Sequence, residues 1–403
     1  MPTATHSSIR DAARAAVGPA TAIRHDLHAH PELMFEERRT SGVVTRELTA
    51  LGIDHIAGLA QGTGVLGFLP AIGPDARNAK TVALRADMDA LPITEDTGKP
   101  YASTTPGTMH ACGHDGHTAI LLGTARALAA LPERRNNVLL IFQPAEEGGA
   151  GGEKMCAEGA LDGSRIGTRA DVIYGLHGWT DYEVGTLATR IGPVLAATDE
   201  FDVVITGKGG HAAYPHRCID PVMVAAHVIT ALQTIASRRF DPTDSVVVTV
   251  AAIHAGTAHN IIPESCTIRG TVRTLTETSR AAAEADLRRI ITQTCIAFGA
   301  EASIEWSAGY PCTRNDEAAT QRFLRIATAA FGEARVVDQP VPSMGGEDFS
   351  YYGLHIPACF FLLGLRNKGQ ATYPGLHTAR FDFNDDAIPT AIEAFVRLAT
   401  EAV

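Results

Sequence analysis

The sequence has 403 residues, which at roughly 150 residues per domain predicts two or three domains rather than one small core. Its 34 basic and 45 acidic side chains give a formal net charge of −11. No run of lysine or arginine forms a basic stripe, so we expect neither a nucleic-acid partner nor an acidic membrane partner. A composition of 45% hydrophobic and 20% charged residues excludes disorder, collagen and coiled coil as the main state.

Targeting signals are not predicted. Arg10, Asp11 and Arg14 lie near the start, and no continuous apolar segment typical of a signal peptide accompanies them. The longest uncharged stretch begins at Ser245 and is broken by polar residues, which favours a strand over a membrane span. We therefore expect a cytoplasmic protein with no membrane partner. Seven cysteines at irregular spacing predict no disulfide framework.

The first half of the chain alternates short apolar runs with helix-like segments. Residues 81–85 and 138–142 are predicted to be buried strands, and a helix is predicted over 117–131 between them. A further apolar run covers 172–176. This order predicts parallel strands joined by crossover helices.

Polar side chains follow each of these strands. Asp87 follows the first, Glu146 and Glu147 follow the second, and His177 follows the third. In open α/β sheets, ligands bind outside the carboxyl ends of the strands. The three strand ends therefore predict one site.

The pattern changes between residues 194 and 309. Alternating apolar residues and helix signals predict strands over 201–205, 245–253, 266–272 and 302–306, and helices over 221–237 and 277–298. The order β-α-β-β-α-β is that of the split βαβ, or ferredoxin-like, unit, which closes its own core. We therefore predict an inserted domain.

After this domain the pattern returns to that of the first half. An apolar run over 356–365 predicts a buried strand, and a final helix is predicted over 385–399. The predicted fold class is α/β. A catalytic domain with a mostly parallel sheet and helices on both faces comprises residues 1–193 and 310–403, and the inserted domain comprises 194–309.

Two short motifs carry candidate metal ligands. If the backbone is extended, Cys112 and His114 point the same way and can meet one ion. Glu146 and Glu147 on extended backbone diverge, so one carboxylate can bind a metal and the other a water. Taken alone, the first pair is more often a packed cysteine beside a helix-capping loop, and the second a solvated acidic pair.

Two further histidines strengthen the interpretation as a metal site. A lone histidine is more often a satisfied core residue, but His177 is predicted at a third strand end. With His377, the candidates supply enough N, O and S donors for two divalent ions that share a bridging ligand. Such a pair can polarise a carbonyl and generate hydroxide near neutral pH.

Eight motifs occur in order along nearly the whole chain. They are HAHPEL (28–33), RADMDALP (85–92), MHACGHD (109–115), QPAEE (143–147), GLH (175–177), GKGGHAAYPH (207–216), NIIP (260–263) and EDF (347–349). As a set they resemble the hippurate hydrolase and N-acyl-amino-acid amidohydrolase family, which includes plant auxin-conjugate hydrolases.

The resemblance implies a dinuclear site. Cys112 would bridge two divalent ions as a thiolate, His114 and His177 would complete one site, and Glu147 and His377 would complete the other. A thiolate bridge favours Zn²⁺, although mixed N and O donors also suit Mn²⁺ or Co²⁺.

The resemblance also implies roles in catalysis and substrate binding. Glu146 would be the general base and acid. The inserted domain would be a lid that mediates a homodimer or homotetramer, with His211 reaching the substrate carbonyl and Asn260 and Arg273 the substrate carboxylate. Asp87 fits a role beside the catalytic groups, because a metal-bound histidine usually donates its second N–H to a carboxylate.

Asp115 fits the same orienting role or a structural one, and His110 is a further candidate for contact with the site. Structural roles are expected for His28 and His30. The sequence departs from the family pattern at residues 178–180, where Val-Trp-Pro is common, and at Tyr214, where relatives have a bulky apolar residue; acyl-group preference is therefore open.

The sequence therefore predicts a metal-dependent hydrolase of linear amides that cleaves N-acyl amino acids to a carboxylic acid and a free amino acid. A metallo-dipeptidase or carboxypeptidase is an alternative, because a peptide C-terminus presents the same amide and carboxylate. The Cys112-x-His114 motif favours the amidohydrolase. A non-catalytic metal-binding protein is disfavoured by Glu146, because a binding module needs no base beside a metal ligand.

Overall fold

The computed structural model describes residues 6–74, 76–339 and 341–403, so the first five residues of the predicted first domain lie outside the described part. The chain divides into two compact units. The first unit comprises Met1–Val194, Arg314–Val341 and Asp348–Val403, and the second comprises Leu195–Thr313 and Pro342–Glu347.

The bounds of the second unit differ from the predicted segment 194–309. It ends four residues later and gains the short segment Pro342–Glu347. The physical reason lies in backbone hydrogen bonds, because Ala196 N–H donates to the carbonyls of both Ser343 (3.1 Å) and Gly345 (2.9 Å).

The helices are α1 (His6–Ala29), α2 (Arg38–Ala50), α3 (His114–Ala130), α4 (Gly151–Ala157), α5 (Pro221–Thr234), α6 (Glu277–Ala297), α7 (Glu317–Phe331), α8 (Ser350–Gly353) and α9 (Ile388–Thr400). The strands are β1 (Asp54–Leu59), β2 (Gly64–Leu69), β3 (Thr81–Asp87), β4 (Asn137–Gln143), β5 (Val172–Glu183), β6 (Leu187–Thr189), β7 (Gly192–Leu195), β8 (Ala197–Thr206), β9 (Gly210–His211), β10 (Val246–Ala255), β11 (Ile261–Ile262), β12 (Ser265–Thr274), β13 (Glu301–Ala308), β14 (Thr313–Asn315), β15 (Val336–Asp338) and β16 (Ala358–Arg366).

The first unit contains a sheet in the order β1-β2-β4-β3-β5-β16-β6-β15. Its central strands β4, β3, β5 and β16 are parallel to one another, whereas β1 and β2 run antiparallel at one edge and β6 pairs antiparallel with β16. The predicted mixed α/β fold with a mostly parallel sheet is confirmed. The buried parallel strands are the continuous apolar runs of the sequence, as expected for strands covered on both faces.

Successive side chains of β16 point to opposite faces of this sheet and show what covers each face. Phe361 and Leu363 belong to the hydrophobic core that the sheet forms with α1, α3, α7 and α9. Phe360, on the other face, packs against Phe349, with ring centroids 5.0 Å apart. Gly175 of β5 allows this packing, because a Cβ there would lie 2.7 Å from the Phe349 ring.

The second unit contains an antiparallel sheet in the order β10-β12-β8-β13. With α5 and α6, these strands follow one another along the chain as β-α-β-β-α-β, and their inward-facing residues form a separate core with the two helices. Helix α5 begins at Pro221, and the Asp220 carboxylate caps it by accepting a hydrogen bond from Val222 N–H (2.9 Å). Within the described ranges, no helix meets the length and apolarity needed to span a bilayer.

Candidate metal centre

Cys112 and His114 lie on either side of Gly113, the residue that precedes α3. Gly113 has a left-handed φ of 91°, so the extended backbone predicted for this motif is wrong. A turn into the helix, rather than strand alternation, directs both side chains to the site. Glycine is favoured there by its positive φ, and a Cβ would also approach the Phe383 ring to 3.0 Å.

The Cys112 thiol lies at the centre of the candidate ligands. Its Sγ atom is 3.2 Å from His177 Nε2 and 3.3 Å from His377 Nε2, and His377 Nε2 is 3.1 Å from Glu147 Oε1. Among the groups of donor atoms that lie within 4.8 Å of one another, two contain this cysteine: Cys112 with His114 and His177, and Cys112 with Glu147 and His377. The cysteine common to both groups could bridge two cations.

The buried atom His114 Nε2 tests whether these residues fit divalent cations. It makes no hydrogen bond to any residue that the structure describes and lies 3.8 Å from Asp87 Oδ2, whereas Nδ1 of the same ring lies 3.0 Å from the Asp89 carbonyl oxygen and 3.2 Å from Asp89 Oδ1. With its proton on Nδ1 facing Asp89, this ring would present the Nε2 lone pair to a cation, the arrangement that metal-bound histidines adopt. The sulfur, imidazole and carboxylate donors therefore fit divalent ions of the Zn²⁺, Mn²⁺ and Co²⁺ class.

Burial shifts the pKa of two candidate ligands in opposite directions. Burial, with Glu147 next in importance, raises the pKa of the Cys112 thiol well above its usual range. Burial lowers the pKa of His177 to about 3, which keeps its imidazole neutral. Cations at the site would favour the thiolate, because a coordinating thiol is deprotonated.

His177 lies within β5 rather than at its end, so its predicted position at a strand terminus is wrong. Strand β5 continues to Glu183 because β16 continues to pair with it, with Leu362 opposite His177. Pairing of β5 with β3 ends earlier, where Arg85 is opposite Gly175. His177 therefore lies two residues beyond the last β3–β5 pair, level with Asp87 at the carboxyl end of β3 and so at the predicted edge.

Glu146 and Glu147 follow β4 outside any strand, and the backbone bends at Glu147, where the Glu146 carbonyl accepts a hydrogen bond from Gly148 N–H (2.8 Å), so it does not continue extended as predicted. Ala145, the preceding residue, has a φ of 55°. Glu146 is buried, and its Oε1 accepts a hydrogen bond from Asp348 N–H (3.3 Å). Glu147 instead lies beside His377, as described above. The two carboxylates thus have different surroundings, although both have an oxygen close to the His114 ring.

Asp87 contacts His117, a residue that was not identified from the sequence. Asp87 Oδ1 is 2.7 Å from His117 Nδ1, and its Oδ2 accepts a hydrogen bond from Arg85 Nη1 (2.7 Å). His117 Nε2 in turn accepts from Gly178 N–H (2.9 Å), next to His177. The signal for His117 was its spacing of three residues from His114 on one helix face. Asp89, also missed, binds His114 as described above.

Asp115 faces away from this cluster. Its Oδ2 atom is 2.9 Å from His28 Nδ1 and 3.5 Å from Arg24 Nη1, and His28 Nε2 is 3.3 Å from Glu95. The structure therefore favours the structural interpretation for Asp115 and His28. His110 is buried and neither ring nitrogen has a hydrogen-bond partner among the described residues; nothing in the structure explains this.

The remaining candidates lie in the second unit. His211 and Asn260 are neighbours there, because Ala212 N–H donates to the Asn260 carbonyl (3.0 Å) and β9 pairs with β11. Both residues are exposed. Arg273 lies on β12, half-buried and opposite Thr198 of β8. The structure brings His211 and Asn260 together and places Arg273 on the four-stranded sheet.

The order and identity of these residues match a known family of peptidases. Residues 83–401 match peptidase family M20/M25/M40. The chain belongs to this family. It is therefore a hydrolase that acts on amide bonds, and the predicted family resemblance is confirmed.

Similar proteins carry names that describe different activities on amide bonds. The chain is 44% identical to the N-acetyl-L-cysteine deacetylase of Bacillus subtilis over 85% of this chain and 79% of that protein. It is 37% identical to thermostable carboxypeptidase 1 of Saccharolobus solfataricus over 94% of each chain. Among solved structures, the YXEP protein of Bacillus subtilis, described as a dinuclear metal-binding peptidase of the M20 family, has a TM-score of 0.81 and 34% identity, over 96% of this chain and 98% of that chain.

Proposed function

We propose that this M20 enzyme hydrolyses the amide bond of N-acyl-L-amino acids with two divalent cations. The observation that carries the proposal is the Cys112 thiol, which belongs to two groups of donor atoms, with the buried Glu146 carboxylate beside them. A deacetylase and a dinuclear relative among the similar proteins support the same chemistry.

In this proposal Cys112 would hold both cations, His114 and His177 would hold one, and Glu147 and His377 would hold the other. Zn²⁺ suits the thiolate best, and Mn²⁺ or Co²⁺ also suit the nitrogen and oxygen donors. When bound, the cations would polarise the amide carbonyl and make water acidic enough to act as a nucleophile near neutral pH.

Glu146 is the proposed proton carrier. Its carboxylate would accept a proton from the attacking water and return it to the leaving amine, so that the amine departs neutral. Asp87 would help to hold the site, because through His117 it fixes the backbone beside His177. No covalent intermediate between enzyme and substrate is required.

The second unit would contact the substrate and a second copy of the chain. As the family resemblance implies, His211 would stabilise the developing oxyanion, and Asn260 and Arg273 would bind the substrate carboxylate. A homodimer or homotetramer through this unit, and a cytoplasmic location, belong to the same proposal.

A substrate panel tests the proposed activity. The metal-loaded enzyme is assayed with N-acetyl, N-benzoyl and indole-acetyl amino acids and with dipeptides and longer peptides, and the chelator-treated enzyme is the control. We expect the N-acyl amino acids to have the highest kcat/KM. A preference for peptides would instead support a carboxypeptidase or dipeptidase, which the carboxypeptidase relative favours as the second candidate.

Replacing His211 with Ala is expected to lower kcat by roughly a hundredfold, the usual cost of losing an oxyanion donor. Bound metal should not change, because His211 is not a proposed ligand. His254→Ala is the matched control, because His254 is another exposed histidine of the second unit. Parent-like turnover of His211→Ala would refute a catalytic role for this histidine.

Mixed oligomers then show which copy of the chain supplies His211. His211→Ala subunits are mixed with Glu146→Gln subunits and the activity of the hybrid is measured. If His211 acts on the site of a second subunit, each hybrid dimer regains one intact site. If it acts within its own subunit, mixing restores no activity. We expect restoration.

A further inference from the structure

Glu37 is a buried carboxyl group outside the candidate ligand set. It directly precedes α2 and has no exposed surface. Its Oε1 accepts a hydrogen bond from the backbone N–H of Ala145 (2.9 Å), and its Oε2 accepts from Thr63 Oγ1 (2.9 Å). The buried Glu37 carboxylate is therefore hydrogen-bonded to the backbone of Ala145, the residue just before Glu146.

The contact falls at a residue with an unusual backbone conformation. Ala145 has a φ of 55°, a left-handed conformation that is uncommon for residues other than glycine. Its carbonyl accepts a hydrogen bond from Gly151 N–H (3.1 Å), and the Glu146 carbonyl accepts from Gly148 N–H (2.8 Å). Such a conformation persists only where surrounding contacts hold it.

A second buried carboxylate, that of Asp89, is hydrogen-bonded to the backbone on the other side of Glu146. Asp89 Oδ2 accepts a hydrogen bond from Glu147 N–H (2.9 Å). Glu146 therefore lies between two peptide N–H groups that are each bound by a buried carboxylate, Glu37 before it and Asp89 after it. The two contacts differ in their consequence, because Asp89 also contacts the proposed ligand His114 and Glu37 does not.

We propose that Glu37 is a positioning residue for Glu146, which acts through the Ala145 N–H group. This inference rests on the proposed role of Glu146 as the base. Loss of the contact would free the backbone before Glu146 and displace its carboxylate from the attacking water. Glu147 would keep its contact with Asp89 and its place beside His377, so the cations should stay bound.

The contact requires a hydrogen-bond acceptor rather than a charge. Burial raises the pKa of Glu37 to about 7. A protonated carboxyl group still has a carbonyl oxygen that can accept from Ala145 N–H, and its O–H can donate to Thr63. Glutamine offers the same two functions in the same shape, whereas leucine offers neither.

The experiment compares Glu37→Leu with Glu37→Gln in the metal-loaded enzyme. For Glu37→Leu we expect kcat to fall by roughly a hundredfold, the scale on which small misplacements of catalytic groups act. KM and bound metal should be unchanged, and hydrogen–deuterium exchange should accelerate in residues 144–150. Glu37→Gln should restore kcat and slow exchange.

Glu32→Leu is the matched control. Glu32 accepts hydrogen bonds from the N–H groups of Arg39 (2.9 Å) and Thr40 (2.8 Å), so its side chain supports the start of α2 and bonds there rather than to Ala145. This variant should lose thermal stability and keep the parent kcat. If Glu37→Leu does not fold, Thr63→Val provides a milder variant that removes only the contact orienting Oε2; it should lower kcat with metal retained.

Three results would overturn the inference: parent-like kcat in both Glu37→Leu and Thr63→Val, loss of metal in proportion to loss of activity, or failure of Glu37→Gln to restore kcat. Glu146→Gln is measured in parallel. If that variant keeps its turnover, the proposed role of Glu146 fails. If it is inactive while the Glu37 and Thr63 variants are fully active, only the positioning role fails.

Discussion

Glu146→Gln is expected to lower turnover by roughly 10²–10⁴-fold, the usual contribution of general acid–base catalysis, with both cations retained. The amide has the shape of the carboxylate and can keep the hydrogen bond from Asp348 N–H, but it cannot accept the proton of the attacking water. Metal content by elemental analysis and kcat with an N-acyl amino acid check this expectation.

Glu147→Gln should behave differently from its neighbour. Its carboxylate lies 3.1 Å from His377 Nε2 in the second group of donor atoms, so the amide should bind metal less well. Glu153→Gln, an exposed change in α4, is the control for general effects of losing a negative charge nearby. Equal metal loss in the Glu146 and Glu147 variants would contradict the assignment of a base and a ligand.

Cys112→Ala is expected to impair both metal sites and to abolish activity. The Sγ atom belongs to both groups of donor atoms, so its removal takes one ligand from each cation. His377→Ala removes a donor from one group only and should chiefly empty one site. Metal-to-protein ratios after dialysis against a fixed free metal concentration check this difference.

Cys359→Ala is the matched control for the loss of a buried thiol. Cys359 is fully buried in β16, and it belongs to neither group of donor atoms. This variant should lose some thermal stability because of the cavity that it leaves, and it should keep its metal. A Cys112→Ala enzyme with two bound ions and full activity would contradict the shared thiolate.

The sheet of the first unit could be predicted because each of its central strands is marked by a short run of apolar residues in the sequence. Parallel strands covered on both faces require continuous apolar runs, and β3 and β4 have them. The carboxyl ends of these strands then predicted where Asp87, Glu146 and Glu147 would lie. Identifying the full set of candidate ligands also required the family motifs, because no predicted strand end or spacing near His377 marks it as a metal ligand.

Backbone conformation at the site could not be predicted. Gly113 and Ala145 adopt left-handed conformations, and the sequence alone suggested extended backbone at both motifs. For Ala145 the conformation accompanies a hydrogen bond to Glu37, which is 108 residues away in the chain. Contacts of this kind, and the bonds from Ala196 to residues 343 and 345, depend on tertiary structure.

The position of β16 has a consequence for the order in which the chain can fold during synthesis. The four-stranded sheet of the second unit is encoded within residues 197–308, so it can form while later residues are still in the ribosome. Strand β16 comes after this unit in the chain, yet it pairs with β5 on one side and β6 on the other. Until residue 366 is available, the edges of β5 and β6 that pair with β16 stay unpaired, and unpaired strand edges favour pairing between chains.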